Sequence, residues 1–404
     1  MNNQVSGRAW VITAFFTLFM AVMTFNLIVF PACAGDTMAA YGIGQAGLTT
    51  LASVTSVVGL FGGIIFGPLL DRSGSRKTIT IAMLIGIVLF FVRAFVTSYA
   101  LVVVFTFLAS FFVGVWQVAA AKGLDTWFTK DKVSVAFAFQ AGGAGIGSAS
   151  VFVVGAALGL HNSLLLVAIA YTVLWVGWLI IGKDGPVAAN AEKPPKGGFA
   201  KVYKSSYVWL LSIACSCAVG STLLINTYCI NAFLAKGLEP AGAAMMGTVI
   251  NLSLLVGGYF GTFLMGVIKK YNVVTFICFA GGACGYLLSW FTPLGINTWI
   301  FMVFGGLIMG GAIGLCSGRT PLVPLTGQFP QEYIGTASGA LETIKGVLTF
   351  VFPIAIASLF QANYNAIFIT FGVLCVIGFI TGGLMVPELG PKGKLQMEAA
   401  ANKQ

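Results

Sequence analysis

Apolar residues run along this chain in continuous stretches of about twenty, the length a helix needs to cross the hydrocarbon of a bilayer, and the stretches do not alternate as strands would. The pattern predicts twelve membrane-spanning helices. The first covers 9–31 and the second 48–70; the third runs from after Lys77 to Val96, the fourth covers 101–121, the fifth follows Lys132, and the sixth covers 163–181. After a break come six more, at 207–234, 241–268, 273–291, 299–326, 334–360 and 365–386. The break contains Pro186, Pro194, Pro195, Gly197, Gly198 and several lysines, the make-up of an exposed linker. The expected organisation is a six-helix bundle over 1–182, a basic linker over 183–206, a second six-helix bundle over 207–387 and a polar tail over 388–404.

Composition agrees with this pattern. Of 404 residues, 58% are hydrophobic and 8% charged, where a soluble domain carries about a quarter. The expected fold class is therefore an all-α membrane protein. The formal charge of +10 does not indicate a nucleic-acid partner, because most basic residues sit in short loops on one side. Since such residues stay in the cytoplasm, both termini are expected there, in an inner or plasma membrane, with Lys236 alone on the other side. Arg8 precedes a long apolar run without a cleavage site, which reads as a retained first helix. The eight cysteines lack metal-ligand spacing and read as small core residues. His161, the only histidine, falls in an outer loop. No phosphate-binding loop and no nucleophile with a base is present, so the chain is read as neither an ATPase nor any other enzyme, with no cofactor.

Three charges lie deep in apolar helices. Arg319 stands ten residues before Phe329, about 15 Å into the tenth helix; Glu342 and Lys345 lie nine and twelve residues past Tyr333, about 14 and 18 Å into the eleventh. Charge at such depth should face water or a partner. Glu342 and Lys345, three apart, share a face and can pair. Arg319 has no acid nearby in sequence and is expected to bind a carboxylate or another planar oxyanion. Arg93, six residues before Tyr99, is expected to snorkel to the membrane surface in a structural role.

The two halves read as repeats of about 200 residues, pairing Trp127-Phe128 with Gln328-Phe329 and Gly67 with Gly261, a mark of transporters with a site near mid-membrane. The loop from Gly67 to Lys77 closely resembles the loop 2/3 signature of the major facilitator superfamily. Gly67, Asp71, Arg72, Gly74, Arg76 and Lys77 match it, and Ser75 stands where a basic residue is usual. The resemblance implies two six-helix domains that rock about a central site, a cytoplasmic latch at this loop, and a cavity lined by helices 1, 4, 7 and 10 with 2, 5, 8 and 11 beside them. Polar and aromatic candidates there are Asn26, Trp116, Gln117, Gln140, Asn226, Tyr228 and Asn251. The eighth helix ends in Lys269-Lys270 with no acid to match Asp71, so a second latch is not expected.

The spacing from Tyr333 to Lys345 also resembles the lysine-bearing eleventh helix of the oxalate:formate antiporter and related monocarboxylate carriers. Those carriers have an arginine in helix 8, where this chain has Gly257 and Gly258; Arg319 would take its place. The expected function is secondary active transport of a small organic anion, a mono- or dicarboxylate, by a monomer in the bilayer, as a proton symporter through Glu342 or as an anion exchanger. The alternatives are an inorganic oxyanion carrier and a non-transporting sensor of the same fold.

Overall fold

The computed structural model describes residues 7–55, 65–66, 69–70, 73–117, 119, 127, 133–182, 198–330, 333–361, 363–390 and 392–393. Helices account for nearly all of them, with no strand among the described residues. The chain divides into two compact units, Met1–Glu192 and Lys193–Gln404.

The first unit contains α1 (Gly7–Ala32), α2 (Ala34–Tyr41), α3 (Gln45–Val54), α4 (Ser75–Phe95), α5 (Tyr99–Val113) and α6 (Val133–Ile181). The helix α6 is two spans in one: Gly159, at φ +71°, lies in the left-handed region and breaks it into arms 133–158 and 160–181. The first arm can lie against α1 because it presents glycine. A methyl group on Gly143 would stand 2.1 Å from the Thr17 carbonyl oxygen, and one on Gly147 would stand 1.9 Å from that of Ala21. Backbone contact of this kind supplies packing where lipid gives helices no hydrophobic reason to associate. The helix α4 packs on α5 and α6, and α3 on α1 and α5.

The second unit contains α7 (Gly198–Tyr203), α8 (Ser206–Ala235), α9 (Pro240–Ile268), α10 (Tyr271–Phe291), α11 (Ile296–Gly318), a 3-10 segment (Thr320–Thr326), α12 (Ile334–Phe360) and α13 (Tyr364–Phe379) with a π-helical turn, Ile380–Leu384. Of the expected linker, 183–197 lie outside the described residues, and from Gly198 the chain is helical, with α7 packed on α12. Glycines again set the crossings: a methyl on Gly261 would lie 2.5 Å from Gly311 Cα, and one on Gly285 would lie 2.4 Å from Gly305 Cα. The helix α8 lies innermost. Its most apolar window is 72% buried, against 28% for α9, and it packs on α12, α13, α9 and α11.

Ten stretches of the described residues are long and apolar enough to span a membrane. One of them, Gly142–Ile181, holds the two arms of α6. The second expected span is described only in part, through α3 and residues 65–66 and 69–70. Outward faces carry large apolar side chains such as Phe95, Val173, Phe263 and Leu359, as a lipid-facing surface requires. Hydroxyls inside the helices, including Thr13, Ser212 and Ser216, turn back to the carbonyl four residues earlier and so do not need water. None of the eight cysteines is in a disulfide, and seven of them are buried.

Candidate functional site

On α12, Lys345 Nζ and Glu342 Oε2 form an ion pair one helical turn apart. Glu342 is eight residues past the start of α12 and Lys345 eleven, which puts them about 12 and 17 Å along a helix that spans the membrane. The Lys345 side chain is 18% exposed and that of Glu342 is 40% exposed. Lys345 also lies near Cys215 of α8, the innermost helix of its unit. A half-exposed ion pair at this depth is badly placed against hydrocarbon, where each charge costs about 2.5–3.5 kcal/mol even on lenient scales. Its open side therefore suits a water-accessible passage.

Arg319 is placed differently from expectation. The helix α11 ends at Gly318, and Pro321 and Pro324 wind the following residues into the separate 3-10 segment. Arg319 thus lies at the end of its span, beside the start of α10 and the end of α13. It is fully buried, and its guanidinium donates to the carbonyls of Gly382 and Tyr271 (2.9 Å for the latter), to the Thr275 hydroxyl and, at 3.5 Å, to Asn272 Oδ1. The Tyr271 ring stacks on it at 4.9 Å. This corrects the expectation of an unpaired mid-membrane charge: Arg319 ties three helix ends together, with Nη1 and Nη2 both engaged by the protein and Nε left without a partner.

The acid missing from the end of α9 comes from the far end of the chain. Glu388 accepts from the backbone amides of Tyr271 (2.7 Å) and Asn272 (2.9 Å), capping the first turn of α10 with a carboxylate as the helix dipole favours. Asn272 Nδ2 donates to the Val386 carbonyl at 3.2 Å. The sequence signal for this cap is an acid just beyond the last apolar run, at the same end as Lys269-Lys270.

Asn226 is engaged with Asn251 in an amide pair that bridges α8 and α9. Asn251 Nδ2 donates to Asn226 Oδ1 at 2.8 Å, with the reverse bond at 3.4 Å, and both side chains are buried. Tyr228 is fully buried, with its ring edge-on to Tyr364 at 6.4 Å. These two are built into the bundle.

In the first unit, Trp116 is also buried, stacked on Phe19 at 4.4 Å and edge-on to Trp178 at 4.8 Å. Rings continue from Phe19 to Tyr171 and from Tyr171 to Phe90, which stacks under Arg93 at 4.5 Å. Gln117 is half-buried just past this column. Arg93 does not snorkel. It is wholly buried, with Nη1 donating to Asn26 Oδ1 at 2.9 Å, so Asn26 faces Arg93 inside the bundle.

Of the expected latch, Gly67, Asp71 and Arg72 lie outside the described residues. Gly74, at φ +77°, turns the chain into α4. Arg76 donates to the Leu179 carbonyl at 3.1 Å and Arg8 to that of Ile181 at 3.2 Å, so two cations sit at the C-terminal end of α6. Lys77 is exposed.

A family model described as the Major Facilitator Superfamily matches residues 11–353. A bacterial homologue of the human lysosomal transporter Spinster, in an inward-facing and unoccupied conformation, is 13% identical, with a TM-score of 0.74 over 94% of this chain and 96% of that one. The nucleoside transporter NupG is 13% identical at a TM-score of 0.71, over 91% and 98% of the two chains. The proton:xylose symporter XylE is 13% identical at 0.73, over 98% and 100%. At these identities the likeness establishes the fold alone. No curated protein matches the chain.

Proposed function

Since the chain belongs to the Major Facilitator Superfamily, we propose that it is a secondary active transporter of a small organic anion, a mono- or dicarboxylate, working by alternating access. The observation that carries this reading is the half-exposed Lys345–Glu342 pair in the middle of α12. With Arg319 occupied by its own bundle, Lys345 is the cation of the second unit suited to receive a substrate carboxylate. An arriving carboxylate competes with Glu342 for the ammonium. Once displaced, Glu342 has lost its counter-ion within the span, and it is the acid to which this reading gives proton coupling. Anion and proton then cross together.

The basic residues support an orientation in a cell membrane with both termini cytoplasmic: Arg8, Arg76, Lys77, Lys269 and Lys270 gather at one end of their units. At the opposite end of the second unit, Lys236 donates to the carbonyls of Ser289, Trp290 and Thr292, closing the C-terminus of α10. The chain is read as a monomer.

Uptake into proteoliposomes tests the reading. Lys345→Met is expected to lower carboxylate uptake by about 10- to 100-fold, the loss of one charge-assisted hydrogen bond of about 1.5–3 kcal/mol. Glu342→Gln should keep uptake down an anion gradient while losing acceleration by an inward proton gradient. A gradient response that survives Glu342→Gln removes the acid from coupling. Carboxylate uptake that survives Lys345→Met overturns the site.

A further inference from the structure

Arg93 carries an obligation that its surroundings do not meet. Its side chain is 0% exposed. Phe90 and Phe30 cover the guanidinium at 4.5 and 5.5 Å from their ring centroids, and Nη1 is taken by Asn26. Nε and Nη2 have no hydrogen-bond partner, and neither does the hydroxyl of Tyr171, which is fully buried and interacts electrostatically with the guanidinium. Among the described residues no carboxylate pairs with Arg93. Asp36, on the short helix α2, is exposed and already accepts from the Leu160 amide at 3.2 Å. An unpaired buried guanidinium is strongly unfavourable, and a bound anion would satisfy it.

The two vacant donors define the shape of that anion. Nε and Nη2 are the adjacent pair on one edge of the guanidinium, the fork whose parallel N–H groups match the two oxygens of a carboxylate. Close by, at the same end of the unit, lies a cavity of about 500 Å³ lined by Asp36, Tyr41, Phe95, Thr97, Gly159 and His161, among others. Tyr41 belongs to both places, lining the cavity and interacting electrostatically with Arg93.

We propose that Arg93, with Asn26 and Tyr171, forms a carboxylate-binding site inside the first unit, reached from this cavity and selective for small monocarboxylates. One fork takes one carboxylate. A second carboxylate on the same molecule would extend toward the cavity, where Asp36 repels it. The site shares with the transport reading only the class of ligand and does not depend on Lys345.

Purified full-length protein in nanodiscs, carrying Lys345→Met and Glu342→Gln, removes the other candidate cation without stranding its acid. Sodium formate, compared with sodium chloride at equal ionic strength, is expected to raise the Tm of this background. Adding Arg93→Met should abolish the formate response and, in chloride, leave Tm at or above that of the parent, because an apolar side chain relieves the unpaired charge. Arg93→Lys, which keeps charge but loses the fork, should raise the half-stabilising formate concentration by about tenfold or more. Sodium succinate should stabilise less than formate. No formate response in the Lys345→Met/Glu342→Gln background, or an undiminished response in Arg93→Lys, overturns the proposal. Either result leaves the Lys345 reading intact, since that is judged on uptake by the protein with Arg93 in place.

Discussion

Arg319 holds the carbonyls of Tyr271 and Gly382 and the hydroxyl of Thr275 from a fully buried position. Its loss is therefore a loss of structure. Arg319→Ala is expected to cost about 2–3 kcal/mol, read as a fall in Tm, while the half-saturating carboxylate concentration for uptake stays within about twofold of wild type. A normal Tm with a strongly raised half-saturation would return Arg319 to the substrate site. Three interior cations among the described residues, Arg93, Arg319 and Lys345, look alike in sequence, each a lone basic residue in an apolar run. What separates them is their partners, and these come from distant segments: Gly382 lies 63 positions from Arg319, and Asn26 lies 67 from Arg93. The pairing of Glu342 with Lys345 was legible because it needs only one turn of one helix. Counting depth back from Phe329 misplaced Arg319, since the proline-containing 3-10 segment beyond Gly318 is not part of the span.

Among the elements, glycine decides which faces meet. Gly147 lets α6 touch the α1 backbone, whereas Gly258, on α9 of the second unit, has nothing within 4 Å of where a methyl would stand. Gly147→Val should drive α1 and α6 apart and sharply reduce folded protein recovered in detergent, measured by size-exclusion chromatography. Gly258→Ala should leave that yield unchanged or raise it slightly, because alanine favours helix by about 1 kcal/mol. Equal yields for the two variants would refute this account of the α1–α6 contact. Glycines such as Gly143 and Gly147 permit a close approach, but the sequence does not say to which helix, because every span is apolar enough to be a partner. That a fifth span ends before a sixth begins near 163 was legible; that the break falls at Gly159 was not. The short α7 was not, because its residues carry the glycine and lysine of a linker.

For the molecule as a whole, the apolar runs and the Gly67–Lys77 loop pointed to the family that the match over residues 11–353 establishes. Long continuous hydrophobic stretches are the strongest structural signal a chain can carry. Substrate chemistry is far less legible, since it rests on a few side chains whose exposure depends on tertiary packing: Asn226 and Trp116 looked like lining and are interior. The clasp of Glu388 on the first turn of α10 has a mechanical consequence. The last span is fastened by its trailing end to a helix that begins 117 positions earlier in the chain. A force applied at the C-terminus therefore meets this clasp before it can draw α13 from the bilayer. In single-molecule extraction from the C-terminal end, wild type should show an initial rupture event before the first helix leaves, and Glu388→Gln should lower its force. The Glu388 clasp thus acts as a rivet between the foot of α13 and the start of α10.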